Sequence, residues 1–297
     1  LEALNRVRGF SPSEMALPNH PDVCHEFVKT LKECGYRWVL VQEHTVEQCD
    51  SGTPLTHPHL PHRLVAKNSA GEVATITAVI KTQGSDTKLV AQMQPYYEAR
   101  GLSRIALGAQ AVPPLVTQIA DGENGGVMMN EFPSKFLDVM SGASGSETPP
   151  VNVTEYLEHL ESIGIGEEDF APVQPAMQQR LWHRFPEAGG PKALAEAIES
   201  CEREDQPFHM EGGSWTSDIS WVEGYDHVLQ PMEEASALFS EKVLSKRVPP
   251  TDSRYHNALF HLLMTQTSCY RYWGEGLWTD YGRELCRRTI EILKNDF

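Results

Sequence analysis

The sequence predicts an α/β fold, with a parallel sheet in the first half of the chain and a helical region in the second. Strand-like and helix-like segments alternate in the first half, which is typical of a parallel sheet, either open or closed into a barrel. A Gly/Ser-rich segment that ends in two prolines, Met140–Pro150, then interrupts this pattern. Beyond it, apolar residues recur at helical spacing. We therefore divide the chain into a sheet-containing part at 1–150 and a mainly helical part at 151–297.

Apolar patterns mark the elements of the first half. The first predicted helix places Val23, Phe27, Leu31 and Cys34 on one face, and Gly35 is expected to end it. The two clearest strands are continuous apolar or β-branched runs. In chain order the predicted elements are a helix at 21–34, strands at 36–41 and 73–80, a helix at 85–100 and a buried strand at 115–119.

The second half contains helical patterns and one segment that is unsuited to a core helix. The segment 211–225 is polar, rich in glycine and contains two tryptophans, so we expect a loop there. The first helix is expected to begin at a Thr154 cap. The predicted helices are 153–163, 191–203, 228–246, 255–268 and 279–294.

Composition limits the classes of partner. The chain has 297 residues, 40% of them hydrophobic, which is enough for a sizeable core. Its net charge of −16 would repel polyanions, so we expect neither nucleic acid nor an anionic membrane as a partner. The six cysteines form no CxxC pair and are expected to be reduced thiols, which favours a cytoplasmic protein. The chain begins Leu-Glu-Ala, so we also expect it to be the interior of a longer protein.

Acidic residues occur in three segments that we place at the carboxyl ends of strands. Glu14 lies in the opening segment, Glu43 precedes His44 after the second strand, and Asp121 and Glu123 follow the last strand. Functional sites of parallel α/β folds lie at the carboxyl ends of the strands. A pair of carboxylates there is what a retaining glycosidase needs, one as nucleophile and one as acid/base. The alternative is that each acid caps a helix or faces water.

Tryptophans in polar, glycine-containing stretches also point to a sugar. Flat aromatic faces next to polar groups commonly hold sugar rings, and Trp215 and Trp221 occur in such a context. The alternative is that these rings seal a junction between the barrel and the helices. For Trp273 and Trp278 we favour that structural role.

Histidines allow a metal site, but their spacing argues against one. His57, His59 and His62 are separated by prolines in a segment that we interpret as a solvated or rim loop, with His44 nearby in sequence. A zinc site needs ligands that converge on one point, and no HExxH motif is present. No GxSxG motif or dinucleotide-binding glycine pattern is found either.

Two acidic segments together resemble glycoside hydrolase family 57, whose members act on α-glucans. Gly9–Ala16 (GFSPSEMA) resembles the segment that carries the family's nucleophile, and Asp121–Asn124 (DGEN) resembles the segment of its acid/base. The stretch Tyr36–His44 is similar to the strand between them, where an acid, here Glu43, faces the sugar. The residues Gly212–Trp215 resemble a loop that returns to the active site.

This resemblance implies a fold and a set of roles. The fold is an incomplete (β/α)7-type barrel with an appended α-helical region, in which 1–150 is part of the catalytic barrel and the loop at 211–225 reaches the site. Glu14 would be the nucleophile and Asp121 the general acid/base. The family's His-Gln-Pro and Gly-Gln-Ile-Glu motifs are not in the sequence, and Lys81–Asp86 stands where an Arg-Asp pair is usual.

The sequence therefore predicts a retaining α-1,4-glucan hydrolase or 4-α-glucanotransferase that needs no cofactor or metal. An oligo- or polysaccharide is the expected partner, and the remaining predicted substrate-binding residues are Glu43, His44, Glu123, Trp215 and Trp221. Two alternatives stay open. One is a metal-dependent hydrolase of the related deacetylase or mannosidase barrels that uses His57, His59 or His44, and the other is a non-catalytic carbohydrate-binding homologue.

Overall fold

The computed structural model describes residues 6–82, 94–117, 132–185, 189–213, 226–267, 270 and 276–297. The chain forms two compact units, Leu1–Asp218 and Ile219–Phe297. Within the described residues, no helix is both long and apolar enough to cross a membrane.

A six-stranded sheet is the centre of the first unit. The strands lie in the order β1-β2-β5-β4-β8-β3, and β1, β2 and β5 run parallel to one another. β4 runs antiparallel to β5 because a tight turn joins them, in which Gly71 has a φ of +83°. The strands are β1 (Gly9–Phe10), β2 (Trp38–Gln42), β3 (Val46–Gln48), β4 (His62–Lys67), β5 (Val73–Lys81) and β8 (Pro172–Pro175), and a separate hairpin is formed by β6 (Ile105–Leu107) and β7 (Gln110–Val112).

The connection between β2 and β3 shows that this sheet curls. In a flat sheet these strands would lie four spacings apart, or about 19 Å. The 3-10 turn Glu43–Thr45 joins them, and such a turn rises only about 2 Å per residue. The two strands can be joined only if the sheet bends toward closure, as it does in a barrel.

Helix α1 (Pro21–Glu33) connects β1 to β2 and covers one face of the sheet. It buries Cys24, Val28 and Leu31, whereas Val23 is 53% exposed. The predicted face was therefore right for Phe27 and Leu31, which pack in this core, and wrong for Val23 and Cys34, which are exposed, because the sequence holds two overlapping apolar stripes and local spacing does not distinguish them. Gly35 follows the helix with a φ of +85°, as predicted for its end.

The opposite face of the sheet carries a smaller hydrophobic core next to the Glu14 turn. Met15, Leu40 and Val79 are buried together there, and Leu115 and Val153 pack against them. The predicted strand at 115–119 is not present in its described part, residues 115–117. The segment is held by two separate hydrogen bonds instead of a strand ladder: the N–H of Leu115 donates to the carbonyl of His59 at 2.8 Å, and the Thr117 hydroxyl donates to the carbonyl of Ile80 at 3.0 Å.

Helices complete the first unit. Their bounds are α2 (Gln94–Gly101), α3 (Phe132–Ala143), α4 (Val153–Ser162), α5 (Gln178–Trp182) and α6 (Gly190–Glu204). The residue that caps α4 is Asn152 and not Thr154, because the carboxylate of Glu155 accepts a hydrogen bond from the backbone N–H of Asn152 at 3.0 Å. The Thr154 hydroxyl accepts from the indole of Trp38 instead, at 3.1 Å.

The secondary-structure elements in the described part of the second unit are all helical. It consists of α7 (Asp226–Phe239), a single π turn (Ser240–Leu244), α8 (Ser253–Thr265) and α9 (Leu277–Asp296). Its core is formed by Phe239, Leu262 and Leu293 with smaller side chains between them. The three helices predicted after residue 226 are therefore confirmed over these residues.

Candidate active site

The carboxyl ends of β1, β2 and β5 bring three chain segments to one edge of the sheet. Because these strands are parallel, the residues that follow each of them lie at the same edge. Glu14 follows β1, Glu43 and His44 follow β2, and Lys81 ends β5 beside Thr82. In the described part of the chain, this edge contains the predicted nucleophile and two of the predicted substrate-binding residues.

Glu14 lies in a strained turn. Its φ and ψ are 56° and 19°, and Met15 also has a φ of 56°. Such left-handed conformations cost of the order of 1–3 kcal/mol in residues other than glycine, and they are concentrated at functional sites. The turn is held because the Met15 side chain is buried against the sheet and its N–H donates to the carbonyl of Pro12 at 2.9 Å. Glu14 itself is an exposed residue.

A distant loop docks beside this turn. The N–H of Leu17 donates to the carbonyl of Gly213 at 3.2 Å. The buried side chain of Asn19 accepts from the N–H of Gly212 at 2.8 Å and donates to the carbonyl of His209 at 2.9 Å. Gly212 has a φ of +86°, and a Cβ there would lie 3.0 Å from the carbonyl oxygen of Leu17. The chain therefore passes close to Glu14 directly before it continues toward residue 215.

A buried polar cluster that the sequence did not predict lies at the end of β5. Lys81 is only 2% exposed, and its ammonium donates to the carbonyl of Thr82 at 2.8 Å. The Thr82 hydroxyl donates to the carboxylate of Glu98 at 3.3 Å, and this carboxylate also lies 2.8 Å from Nε2 of His59. Lysine side chains are seldom fully buried, so Lys81 is a candidate for function. One feature of the sequence could have indicated this cluster, namely a lysine directly at the end of a long apolar strand.

The histidines of the predicted rim loop have three different environments. His57 is exposed, and His59 is half-buried and pairs with Glu98. His62 is not in a loop, because it begins β4 and is 4% exposed. Burial lowers the pKa of its imidazole to about 4, so the ring is neutral at neutral pH. Among the described residues, no group of three or more His, Cys, Asp or Glu side chains is arranged to hold a metal ion.

Of the predicted site residues other than Glu14, two lie in the described part of the chain and four do not. Glu43 and His44 are half-buried in the 3-10 turn between β2 and β3. The remaining predictions, Asp121, Glu123, Trp215 and Trp221, fall in the ranges that the structure does not describe.

Comparison with solved structures reveals a similar fold. The chain superposes with a TM-score of 0.53 and 17% sequence identity on the crystal structure of a 4-α-glucanotransferase from Thermococcus litoralis, an enzyme of glycoside hydrolase family 57. The match covers 98% of this chain and 42% of that enzyme, so the chain spans less than half of its length. No protein-family model and no curated protein matches the sequence.

This likeness identifies the fold. A mixed α/β unit with a largely parallel sheet is followed by C-terminal helices, as in the barrel domain of the matched enzyme. The fold class predicted from the strand and helix signals and from the family resemblance is therefore confirmed.

Proposed function

We propose that the chain provides the catalytic region of a retaining glycoside hydrolase or glucanotransferase that acts on α-1,4-glucans. The observation that carries this proposal is the position of Glu14 on a strained turn at the carboxyl end of β1. The shared fold supports it, since the matched protein is a 4-α-glucanotransferase. The substrate is an oligo- or polysaccharide, no cofactor is needed, and we assign the protein to the cytoplasm.

Two carboxylates are sufficient for the reaction. Glu14 attacks the anomeric carbon, and the glycosidic C–O bond breaks while the Asp121 carboxylic acid gives its proton to the leaving oxygen. In the second step, the Asp121 carboxylate takes a proton from water or from a sugar hydroxyl. That oxygen attacks the anomeric carbon and displaces Glu14. Two inversions leave the anomeric configuration unchanged, whether the acceptor is water or a glucan.

The other site residues bind the substrate in this proposal. Glu43 and His44 follow β2 at the same edge as Glu14 and would hydrogen-bond sugar hydroxyls. Glu123, Trp215 and Trp221 keep the binding roles that the sequence suggests, with the indoles stacking on sugar rings. Gly212 and Gly213, which precede Trp215 in the sequence, bond Asn19 and Leu17 next to the Glu14 turn.

Substitution of the two carboxylates tests the assignment. We expect Glu14→Gln and Asp121→Asn each to abolish turnover of maltooligosaccharides. Glu202→Gln is the matched control, because this carboxylate is exposed on α6 and forms no ion pair with the described residues. Full activity of either catalytic variant would rule out the proposed mechanism.

Product analysis distinguishes the proposed reactions from the non-catalytic alternative. After incubation with a single maltooligosaccharide, a hydrolase gives only shorter products, whereas a transferase gives both shorter and longer chains. Binding without any change in chain length would favour the carbohydrate-binding homologue. Turnover that a chelator abolishes would favour the metal-dependent hydrolase.

A further inference from the structure

A small pocket lies at the end of the sheet opposite Glu14. It is formed where the amino-terminal ends of β2 and β5 face helix α4, and its volume is about 190 Å³. Trp38 of β2 and Thr75 and Thr77 of β5 form its floor, and Phe170 contributes to its wall. The register pairs Trp38 with Thr77, so both side chains lie on the same face of the sheet.

This pocket and the candidate active site occupy the two ends of one sheet face. Along β5 this face carries Thr75 and Thr77, then Val79, and finally Lys81. Val79 belongs to the buried layer with Met15 and Leu40. Four residues of strand separate Thr77 from Lys81, a distance of about 13 Å, so a molecule in the pocket would not contact Glu14.

The polar groups of the pocket suit a neutral polyhydroxylated ring. Neither the Thr75 hydroxyl nor the Thr77 hydroxyl has a hydrogen-bond partner among the described residues, although Thr77 is only 7% exposed. At the rim, the Arg37 guanidinium forms an ion pair with Glu161. The guanidinium N–H groups can donate hydrogen bonds and the adjacent carboxylate can accept them. Two neighbouring sugar hydroxyls, each of which can donate and accept, could bond such a pair.

Size and charge narrow the class of ligand. Pockets for drug-sized molecules usually measure about 300–1,000 Å³, so this one suits a single small ring. The aromatic side chains Tyr36, Trp38 and Phe170 supply apolar surface for the ring carbons. Arg8 and Lys32 also line the pocket, but the carboxylate of Glu167 lies there too and Arg37 is paired with Glu161, so the lining has mixed charge; the net charge of −16 further disfavours an anionic ligand.

We propose that this pocket is a second carbohydrate site, which binds one glucose unit of the glucan away from Glu14. The choice of glucose rests on the proposed function, whereas the preference for a neutral sugar rests on the pocket itself. Such a site would hold a long substrate at a second point and raise its effective concentration at the catalytic edge.

Hydrogen exchange locates the bound sugar. The experiment uses the Glu14→Gln variant, which is expected to bind maltose without turnover, and measures exchange with and without maltose. We expect slower exchange in α4 (Val153–Ser162) and in the adjoining segment 163–170, which contact the pocket. Protection confined to Ser11–Leu17 and His209–Gly213 would place all binding at the candidate active site and overturn the proposal.

Isosteric variants identify the groups that bind. Replacing Thr75 and Thr77 together by valine keeps the shape and removes both hydroxyls, so maltose should bind about three- to tenfold more weakly in α4 protection titrations. Thr30→Val, on the exposed side of α1, is the control and should not change binding. If the double variant does not fold, Glu161→Gln at the exposed rim should weaken binding instead.

Two further outcomes would contradict the proposal. Unchanged α4 protection in both pocket variants would exclude the pocket as the site. Displacement of maltose from α4 by inorganic phosphate would show an anion site rather than a sugar site. Neither result bears on the proposed function, which is tested separately by the turnover of Glu14→Gln and Asp121→Asn and by the action of the wild-type chain on glucans.

Discussion

The side chain of Asn19 bonds the N–H of Gly212 across 193 residues of sequence, at 2.8 Å. The same side chain donates to the carbonyl of His209, and the Asn19 carbonyl accepts from the buried amide of Gln178 at 2.7 Å. Asn19 therefore joins the turn of Glu14 to two other segments of the first unit. We therefore expect this side chain to help position the turn of Glu14.

Asn19→Ala should loosen the turn of Glu14. The variant leaves the Gly212 N–H and the His209 carbonyl without a partner, and we expect a loss of about 1–3 kcal/mol of unfolding free energy. The rate constant kcat should fall more than KM rises, because the nucleophile is misplaced rather than removed. Urea unfolding and steady-state kinetics measure the two effects. Asn257→Ala, on the exposed side of α8, should change neither; equal effects of both variants would contradict a positioning role.

Gly9→Ala should destabilise the sheet. A Cβ at Gly9 would lie 1.9 Å from the ring of Trp38, the residue that it pairs with on β2. The ring or the strand must move, and we expect a loss of about 1–3 kcal/mol in urea unfolding. Gly142→Ala is the matched control, since no atom lies within 4 Å of a Cβ at that helical position. The control should be neutral or slightly stabilising, and a tolerated Gly9→Ala would refute this packing.

His62 should make the fold less stable in mild acid. Burial lowers the pKa of its imidazole from 6.5 to about 4, so between these values the unfolded chain binds a proton that the folded chain does not. The contribution of His62 to the free energy of unfolding is therefore greatest at pH 7. As the pH falls to 5, the free energy of unfolding should decrease by about 2 kcal/mol. Urea unfolding at both pH values measures the difference. The variant His62→Leu should lose this pH dependence of the unfolding free energy, whereas the control His159→Leu, at an exposed position, should keep it. If His62→Leu keeps the full difference between the two pH values, His62 is not its cause.

Glu47 should be essential for the start of α5. Its buried carboxylate accepts hydrogen bonds from the N–H groups of Met177 and Gln179 at 2.9 and 2.7 Å and from the Gln174 amide at 2.9 Å. The variant Glu47→Ala would leave these three donors without their charged acceptor. We expect its free energy of unfolding to fall by about 3 kcal/mol. Glu202→Ala, on exposed α6, should stay within about 0.5 kcal/mol of wild type. A similar value for both variants in urea unfolding would show that these bonds contribute little.

Continuous apolar runs were sufficient to predict β2 and β5, because both strands are buried on two faces and need no alternation. β4 was missed although His62, Leu64 and Ala66 are its buried residues. The exposed positions of its alternating pattern include Arg63 and Lys67, and a proline-rich segment directly precedes it. For these reasons the segment was not recognised as a strand. The buried face of α1 was misjudged for a related reason, since local spacing alone cannot show which of two stripes meets the sheet.

The candidate site was only partly predictable. Glu14 stands in a local motif, so the sequence suggested it without any tertiary information. The bond between Asn19 and Gly212 and the burial of Lys81 depend on contacts between segments that are distant in sequence. Periodicity and local propensity carry no information on such contacts. The role of Asp121 remains a prediction that rests on the family resemblance.

The most direct test of the proposed function is to trap the covalent intermediate on Glu14. A fluorinated glucosyl fluoride that reacts quickly in the first step and slowly in the second should accumulate the glycosyl-enzyme. Glu14 displaces the anomeric fluoride, so peptide mass spectrometry should then find one fluoroglucosyl group, on the peptide that contains Ser13–Leu17, and none in Glu14→Gln. A label on another carboxylate, or no label in a chain that turns over maltooligosaccharides, would contradict Glu14 as the nucleophile.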